Sequence, residues 1–518
     1  MDPLHGAFSQ DAFVTLPQVI ITRRALLRTA QLFAASAALP GCLYKAADAQ
    51  STPSSFVSHP ALQPVVARSV MDRLSTYMAE ASDRILPEPV LEAAKQHLLD
   101  TIAAMISGAA LPPAKVAFSF VQAHRGASVA TVVGSSLLCD PMEAALANGM
   151  LAHADETDDS HAPSHSHPGC AVVPAALAAA EQFDISGAHF LRAIVLGYDV
   201  GPRVLMALGG VDYQTSTHRD AHSIANTFAA SAAAGCAASL NPRQMRWLLD
   251  LAAQQASGIA AWQRDTQHIE KSLVFAGMPA RNGVTAALLV QLGATGVDDV
   301  FSGADNFLMA SGSASDASQL TEKLGERYEI TRTNIKKWSV GSPIQAPLDA
   351  ISLILNRNTF SPDDVEKVSV RLAASDARTV DNRDMPDICL QHMIAVMLVD
   401  KSVSFAAAHD RPRMSDPVIV RTRAKIQLIP DEELERLHPR LVAIVEITLK
   451  DGTRLSQRVD AVRGTVANPM TRDEVIAKAR DLMDGPLGPA RSAQLVDAIF
   501  ALDTFESLRS LRPLLQHQ

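Results

Sequence analysis

The densest chemistry in the 518-residue chain lies between Ala152 and Gly169. There His153, Asp155, Glu156, Asp158, Asp159, His161, His165 and His167 fall within fifteen residues. Carboxylates and imidazoles at this density support three readings. They form a solvated acidic loop, or a helix start where Asp and Glu suit the positive end of the dipole. They hold a metal, since imidazole and carboxylate are hard-to-borderline ligands. Or they move protons, because imidazole changes charge near neutral pH. The loop stands between two apolar helical stretches, and loops held by rigid elements are where catalytic groups concentrate.

Cysteine chemistry is a weaker prospect. Cys42, Cys139, Cys170, Cys236 and Cys389 lie far apart, with no CxxC pair, no iron–sulfur spacing and no disulfide framework. A Lewis acid, if the reaction used one, would not be held by thiolates.

The elements around the loop read as helices. From Pro89, the residues Val90, Ala94, Leu98, Ile102 and Met105 recur at three- and four-residue spacing, closed by Gly108. Similar patterns predict helices over 112–124, 142–152, 173–183, 187–208, 225–239, 242–260 and 281–292. Near residue 330 the pattern changes. Val368 to Leu372 and Lys425 to Leu428 alternate with period two. Val442 to Leu449 is β-rich, and Asp451-Gly452 signals a hairpin before Arg454. The expected fold is mostly α: a large helical domain over 66–331 and 463–518, with a smaller α+β lid domain over 332–462.

Composition agrees with a large buried core. Hydrophobic residues make up 47% and aromatics only 5%, with abundant alanine, the strongest helix former. The net charge of −9 leaves no basic excess for a phosphate backbone, so no nucleic-acid partner is expected.

The first 49 residues read as a signal peptide. Arg23-Arg24 followed by Leu26-Leu27 resembles the twin-arginine type. A short apolar run to Pro40 follows, and Ala47-Asp48-Ala49 fits a cleavage site before Gln50. The run is shorter than the roughly 20 residues of a stable membrane span. Residues 50–65, rich in Ser and Pro, read as a linker. The expectation is periplasmic export, with a cytoplasmic protein as the alternative.

Several stretches together resemble the MmgE/PrpD family. They are Asn148-Gly149, Ala152-His153, Asp158-Asp159-Ser160, His167-Pro168 and Pro174-Ala175-Ala176-Leu177. Leu98 to Ala103, Gly197-Tyr198-Asp199 with Arg203, Asn282-Gly283-Val284 and Ile335-Lys336-Lys337-Trp338 continue the likeness in the same order, over about residues 66–510. The family includes 2-methylcitrate dehydratase, cis-aconitate decarboxylase and iminodisuccinate epimerase. The resemblance implies an active site between the helical domain and the lid, a small carboxylate substrate, a homodimer, and no metal or organic cofactor.

It also implies site residues. His167, His222, Lys271, Glu156 and Asp158 are the catalytic candidates; Lys336, Ser160, His392 and Arg281 are the substrate-binding ones. Glu156 stands where the family has aspartate, one methylene shorter. One residue is inserted between Ser160 and His167. His222 has His218 as its fallback, His392 substitutes for a family tyrosine, and Gln345 stands where many members have histidine. The implied chemistry removes a proton next to a carboxylate, with lysines stabilising the enolate and histidines as acid and base. A hydro-lyase acting on a substrate such as 2-methylcitrate comes first, then an epimerase or racemase, then a decarboxylase. An exported carboxylate-binding protein without catalysis is the reading from another class.

Overall fold

Small residues let the helices that carry the loop pack backbone to backbone. The computed structural model describes residues 69–312 and 315–516; the expected leader, cleavage site and linker lie outside them. The helices of the large part that position the loop are α1 (Glu88–Gly108), α2 (Pro141–Ala152), α3 (Gly169–Phe183), α4 (Gly187–Ala207), α5 (Ala221–Ala237) and α6 (Met278–Gln291). Every residue of α5 is buried, and α3, α4 and α6 pack around it. A Cβ on Gly283 of α6 would stand 2.5 Å from the Ala230 backbone, so that close approach requires glycine. A short ribbon of β1 (Ala130–Thr131) and β2 (Leu138–Cys139) precedes α2.

Two helices start ahead of where periodicity places them. Asp220 accepts from Ser223 N, which starts α5 at Ala221 and brings His222 into its first turn. The proline at 174 suggests a first-turn residue, yet α3 already begins at Gly169 and carries Pro174 inside it. At the other end, the helix from Pro242 stops at Gln255, short of Ala260. Ile269–Ser272, a π-helical turn Leu273–Gly277 and α6 make one helical run. Among the described residues, Ile269–Gln291 is long and apolar enough to cross a membrane, and 56% of its apolar window is buried inside the fold.

The α+β part has its own apolar core, running from Trp338 to Val462. Helices α7 (Ser342–Arg357) and α8 (Leu390–Asp400) pack against β3 (Val365–Ala373), β4 (Ile426–Asp431), β5 (Ala443–Leu449) and β6 (Arg454–Val459). The sheet order is β4-β3-β5-β6, with β3 parallel to β4 and antiparallel to β5. Gly452, at φ 88°, turns the β5–β6 hairpin where Asp451-Gly452 predicts it.

The chain then returns to α1. Helices α9 (Arg472–Leu487) and α10 (Pro489–Phe500) bury Val475, Ala479, Leu482, Leu495 and Ile499 in the same core as Leu98 and Ile102. A Thr471–Glu474 capping box starts α9.

Candidate active site

Asp159 fixes the frame of the loop. Fully buried, it accepts from Tyr198 Oη at 2.5 Å and from Gly169 N at 3.0 Å, and it pairs with His97 Nδ1 at 2.7 Å. Four segments, α1, α3, α4 and the loop, meet at one carboxylate. A Cβ on residue 169 would fall 2.6 Å from Tyr198 Oη and 2.9 Å from Asp159 Oδ1, so only glycine fits there. From α9, Lys478 pairs with Asp100 at 2.6 Å and donates to Thr157 O at 2.9 Å. The loop is therefore held from two sides.

This frame aims two histidines. Asp158 is fully buried and sits between His153 Nδ1 at 2.9 Å and His167 Nδ1 at 3.2 Å. Burial raises its carboxyl, but the two imidazoles outweigh that and hold it well below the usual range. An ionised carboxylate only accepts, so His167 carries its proton on Nδ1 and leaves Nε2 as a base. His222 is held in the same way. Its Nδ1 lies 3.1 Å from Asp220 Oδ1, which also accepts from Trp262 Nε1 at 3.1 Å. The ring stacks on Phe275, centroids 3.8 Å apart, and stands 5.3 Å from the His167 ring. Neither Nε2 has a protein partner among the described residues. Burial lowers the pKa of both, that of His222 to about 4, so both are neutral at pH 7.

Glu156 anchors the cationic side. It ion-pairs with Lys271, accepts from His268 Nε2 at 3.1 Å, and lies 3.7 Å from Lys336 Nζ. Burial disfavours the carboxylate, but Lys271, Lys336 and His268 together hold it well below its ordinary range. Its extra methylene relative to aspartate lengthens its reach toward Lys271. The Lys271 ammonium also lies 5.1 Å from the Phe275 ring and 5.3 Å from Trp262.

These groups line a cavity of about 870 Å³ between the helical part and the lid. Glu156, Ser160, His161, His165, His167, His222, His268 and Lys271 form its helical wall. Arg378, Arg383, Met385, Ile388, His438 and Arg440 come from the lid side.

Other expected residues stand elsewhere. Arg281, on α6, pairs with Glu143 of α2 at 2.7 Å and does not line the cavity. His392 lies fully buried in the lid core on α8, also outside the lining, because the apolar face of α8 turns it inward. Lys336 stands behind the wall, with its ammonium on Glu156 O at 2.8 Å and 3.7 Å from Asp158, so protein acceptors occupy it. Asp158 likewise does not line the cavity and instead holds His167 through Nδ1. His218 is exposed in a left-handed turn, which leaves His222 at the site. Gln345 hydrogen-bonds the Trp338 backbone and is structural.

Sequence reasoning missed Asp220, Trp262, Phe275, His268 and the lid arginines. Asp220 carried a signal, an acid two residues before a candidate histidine. Phe275 carried none, since the π-turn that aims it has no sequence mark. His153, Asp158 and Cys170 bring metal-ligating atoms within 4.8 Å of one another. Asp158 already serves two imidazoles there, and burial drives the Cys170 thiol well above its ordinary range, so the trio is a poor cation site.

Comparison with known proteins gives the family. The MmgE/PrpD N-terminal domain matches residues 72–320 and the C-terminal domain residues 338–502. A cis-aconitate decarboxylase-like protein of Aspergillus oryzae is 25% identical, over 86% of this chain and 97% of its own. Cis-aconitate decarboxylase of Aspergillus terreus is 26% identical, over 83% and 92%. The Homo sapiens cis-aconitate decarboxylase is 23% identical, over 87% and 95%. With both domains matched in order across the cavity and its walls, the chain belongs to the MmgE/PrpD family.

Proposed function

We propose that the protein is a cofactor-independent lyase that acts on a small di- or tricarboxylic acid by moving a proton next to a carboxylate. The observation that carries this is the pair of neutral imidazoles, His167 and His222. Each is held through Nδ1 by a buried carboxylate and open at Nε2, beside the Lys271 ammonium. A carbon acid next to a carboxylate is very weak, so positive charge aimed at the developing enolate is required. In a dehydration, one Nε2 takes the proton and the C–H pair becomes the new C=C bond. The C–O bond breaks, and the hydroxide takes a proton from Lys271 and leaves as water. A binding protein would need the cations but not two oriented bases.

Decarboxylation is the second reading, favoured by the curated relatives' names. There the C–C bond to a carboxylate breaks, CO₂ leaves with its electron pair left on the carbon, and the Lys271 ammonium gives that carbon a proton. Purified protein incubated with 2-methylcitrate, citrate and cis-aconitate tests both. Growth of alkene absorbance without CO₂ supports the hydro-lyase, and CO₂ release from cis-aconitate supports the carboxy-lyase. Melting shifts without turnover across the panel would overturn the enzyme reading in favour of a binder.

The leader supports export of the folded protein, and the family supports a homodimer. Both belong to this proposal. Fractionation of the native host and light scattering of the purified protein test them.

A further inference from the structure

The loop 161–167 makes a small hairpin of its own. His161 N donates to Ser166 O at 2.8 Å and Ser166 N donates to His161 O at 3.3 Å, around the tight turn Ala162–Ser164. His165 follows that turn at φ 49° and ψ 48°, in the left-handed region that side chains other than glycine enter at a cost. The turn projects the His165 ring into the cavity, 5.2 Å from His222. Its two flanking serines are buried, whereas His165 is not fully so. Neither ring nitrogen has a hydrogen-bond partner among the described residues, nor is either sealed from the cavity.

We propose that His165 is a substrate-contacting residue which, paired with His222, recognises a hydroxyl on the polycarboxylate. A hydroxyl donates one hydrogen bond and accepts others. Two neutral imidazoles five ångströms apart offer it an open acceptor on one side and a donor on the other. His222 contributes its open Nε2, because its Nδ1 proton is committed to Asp220. His165 contributes N–H. Burial keeps it neutral, with a pKa near 3, so it is not an extra cation for carboxylates. Of the other imidazoles in the wall, His161 is held by Glu329 and Ser164, His268 by Glu156, and the lid's His438 lies 3.8 Å from Asp376, while His167 keeps its open Nε2 for the proton transfer proposed above. A site built around a hydroxyl rejects an analogue lacking it, because its polar groups are left unpaired.

The inference rests on the polycarboxylate reading, and one experiment separates the two. Citrate and tricarballylate differ only by the hydroxyl, and binding of each to the full chain is measured by titration calorimetry. The native protein should bind citrate at least about tenfold more tightly. His165→Asn keeps a residue that tolerates the left-handed turn but removes the imidazole. It should leave the melting temperature and the tricarballylate affinity unchanged and bring citrate down to the tricarballylate level. His165→Gly, which relaxes the backbone, should do the same and guards against a folding defect in the first variant. Equal binding of both ligands to the native protein would overturn the hydroxyl assignment while leaving the polycarboxylate site intact. So would a variant that loses both ligands alike, or one that keeps the native preference. Binding of neither ligand to the native protein would overturn the polycarboxylate reading and this inference with it.

Discussion

At the scale of single residues, the cavity pairs each group of the proposed mechanism with a buried partner that orients it. Asp158 and Asp220 hold the two imidazoles through Nδ1, and Glu156 gathers Lys271 and His268. Groups that act together in one step show non-additive losses. Lys271→Ala and His167→Ala should each lower kcat by about 10²-fold or more, and the double variant should fall short of the product of the two losses. Thermal melts should move less than for a buried pair broken outright, since Glu156 keeps Lys336 and His268, and Asp158 keeps His153, when either side chain is removed. A fully active Lys271→Ala protein would remove that lysine from the mechanism. Because lysine can supply the positive charge, activity should also survive EDTA. Loss in EDTA restored by one divalent ion would instead bring the His153, Asp158 and Cys170 trio into play.

At the scale of elements, the loop depends on helices distant in sequence. Lys478 of α9 is buried between Asp100 of α1 and the Thr157 carbonyl. Burial pushes the Asp100 carboxyl up, and Lys478 opposes that shift. Removing one partner of a buried pair leaves an uncompensated charge, which costs about 3–5 kcal/mol, whereas replacing both by apolar groups is often nearly neutral. Lys478→Met should therefore destabilise the protein strongly, and Lys478→Met with Asp100→Leu should recover most of the loss in denaturant titrations. A single variant as stable as the native protein would show that packing of α9, not this pair, holds the loop.

At the scale of the whole molecule, buried histidines set the response of stability to pH. His409 comes from the lid and lies 2.9 Å from Asp155 of the loop. Burial opposes its charge, but Asp155 and Asp387 outweigh it and raise it to about 9. Its contribution is thus fully present below about pH 6.5 and is lost as pH rises through 9. His165, His222 and His268 behave oppositely. Burial lowers them to about 3, 4 and 3, so stability falls as pH drops from about 6.5 toward 4. Melting temperature should peak near pH 6.5, and His409→Gln should flatten the alkaline limb alone. An unchanged alkaline limb would mean that the lid contact with Asp155 adds no stability. For the proposed export, mass spectrometry of protein from the native host should find Gln50 at the mature N-terminus; protein intact from Met1 and confined to the cytoplasm would count against it.

Periodicity and composition determined the fold class, because helical spacing in 90–105 and alternation in 368–372 and 425–428 reflect local backbone geometry and a buried face. The same local rules located the 153–167 loop and the hairpin at Asp451-Gly452. The resemblance in order along the chain pointed to His167, His222 and Lys271, which line the cavity. What the sequence could not decide is which charged side chains reach that cavity. Arg281 and Lys336 are drawn off by Glu143, Glu156 and Asp158, and His392 turns into the lid core. Asp220, Phe275 and His165 enter through a helix cap, a π-turn and a left-handed residue. Those choices depend on contacts between segments tens to hundreds of residues apart. A partner brought in by tertiary packing decides whether an ionisable group faces substrate or protein, and no local pattern encodes that.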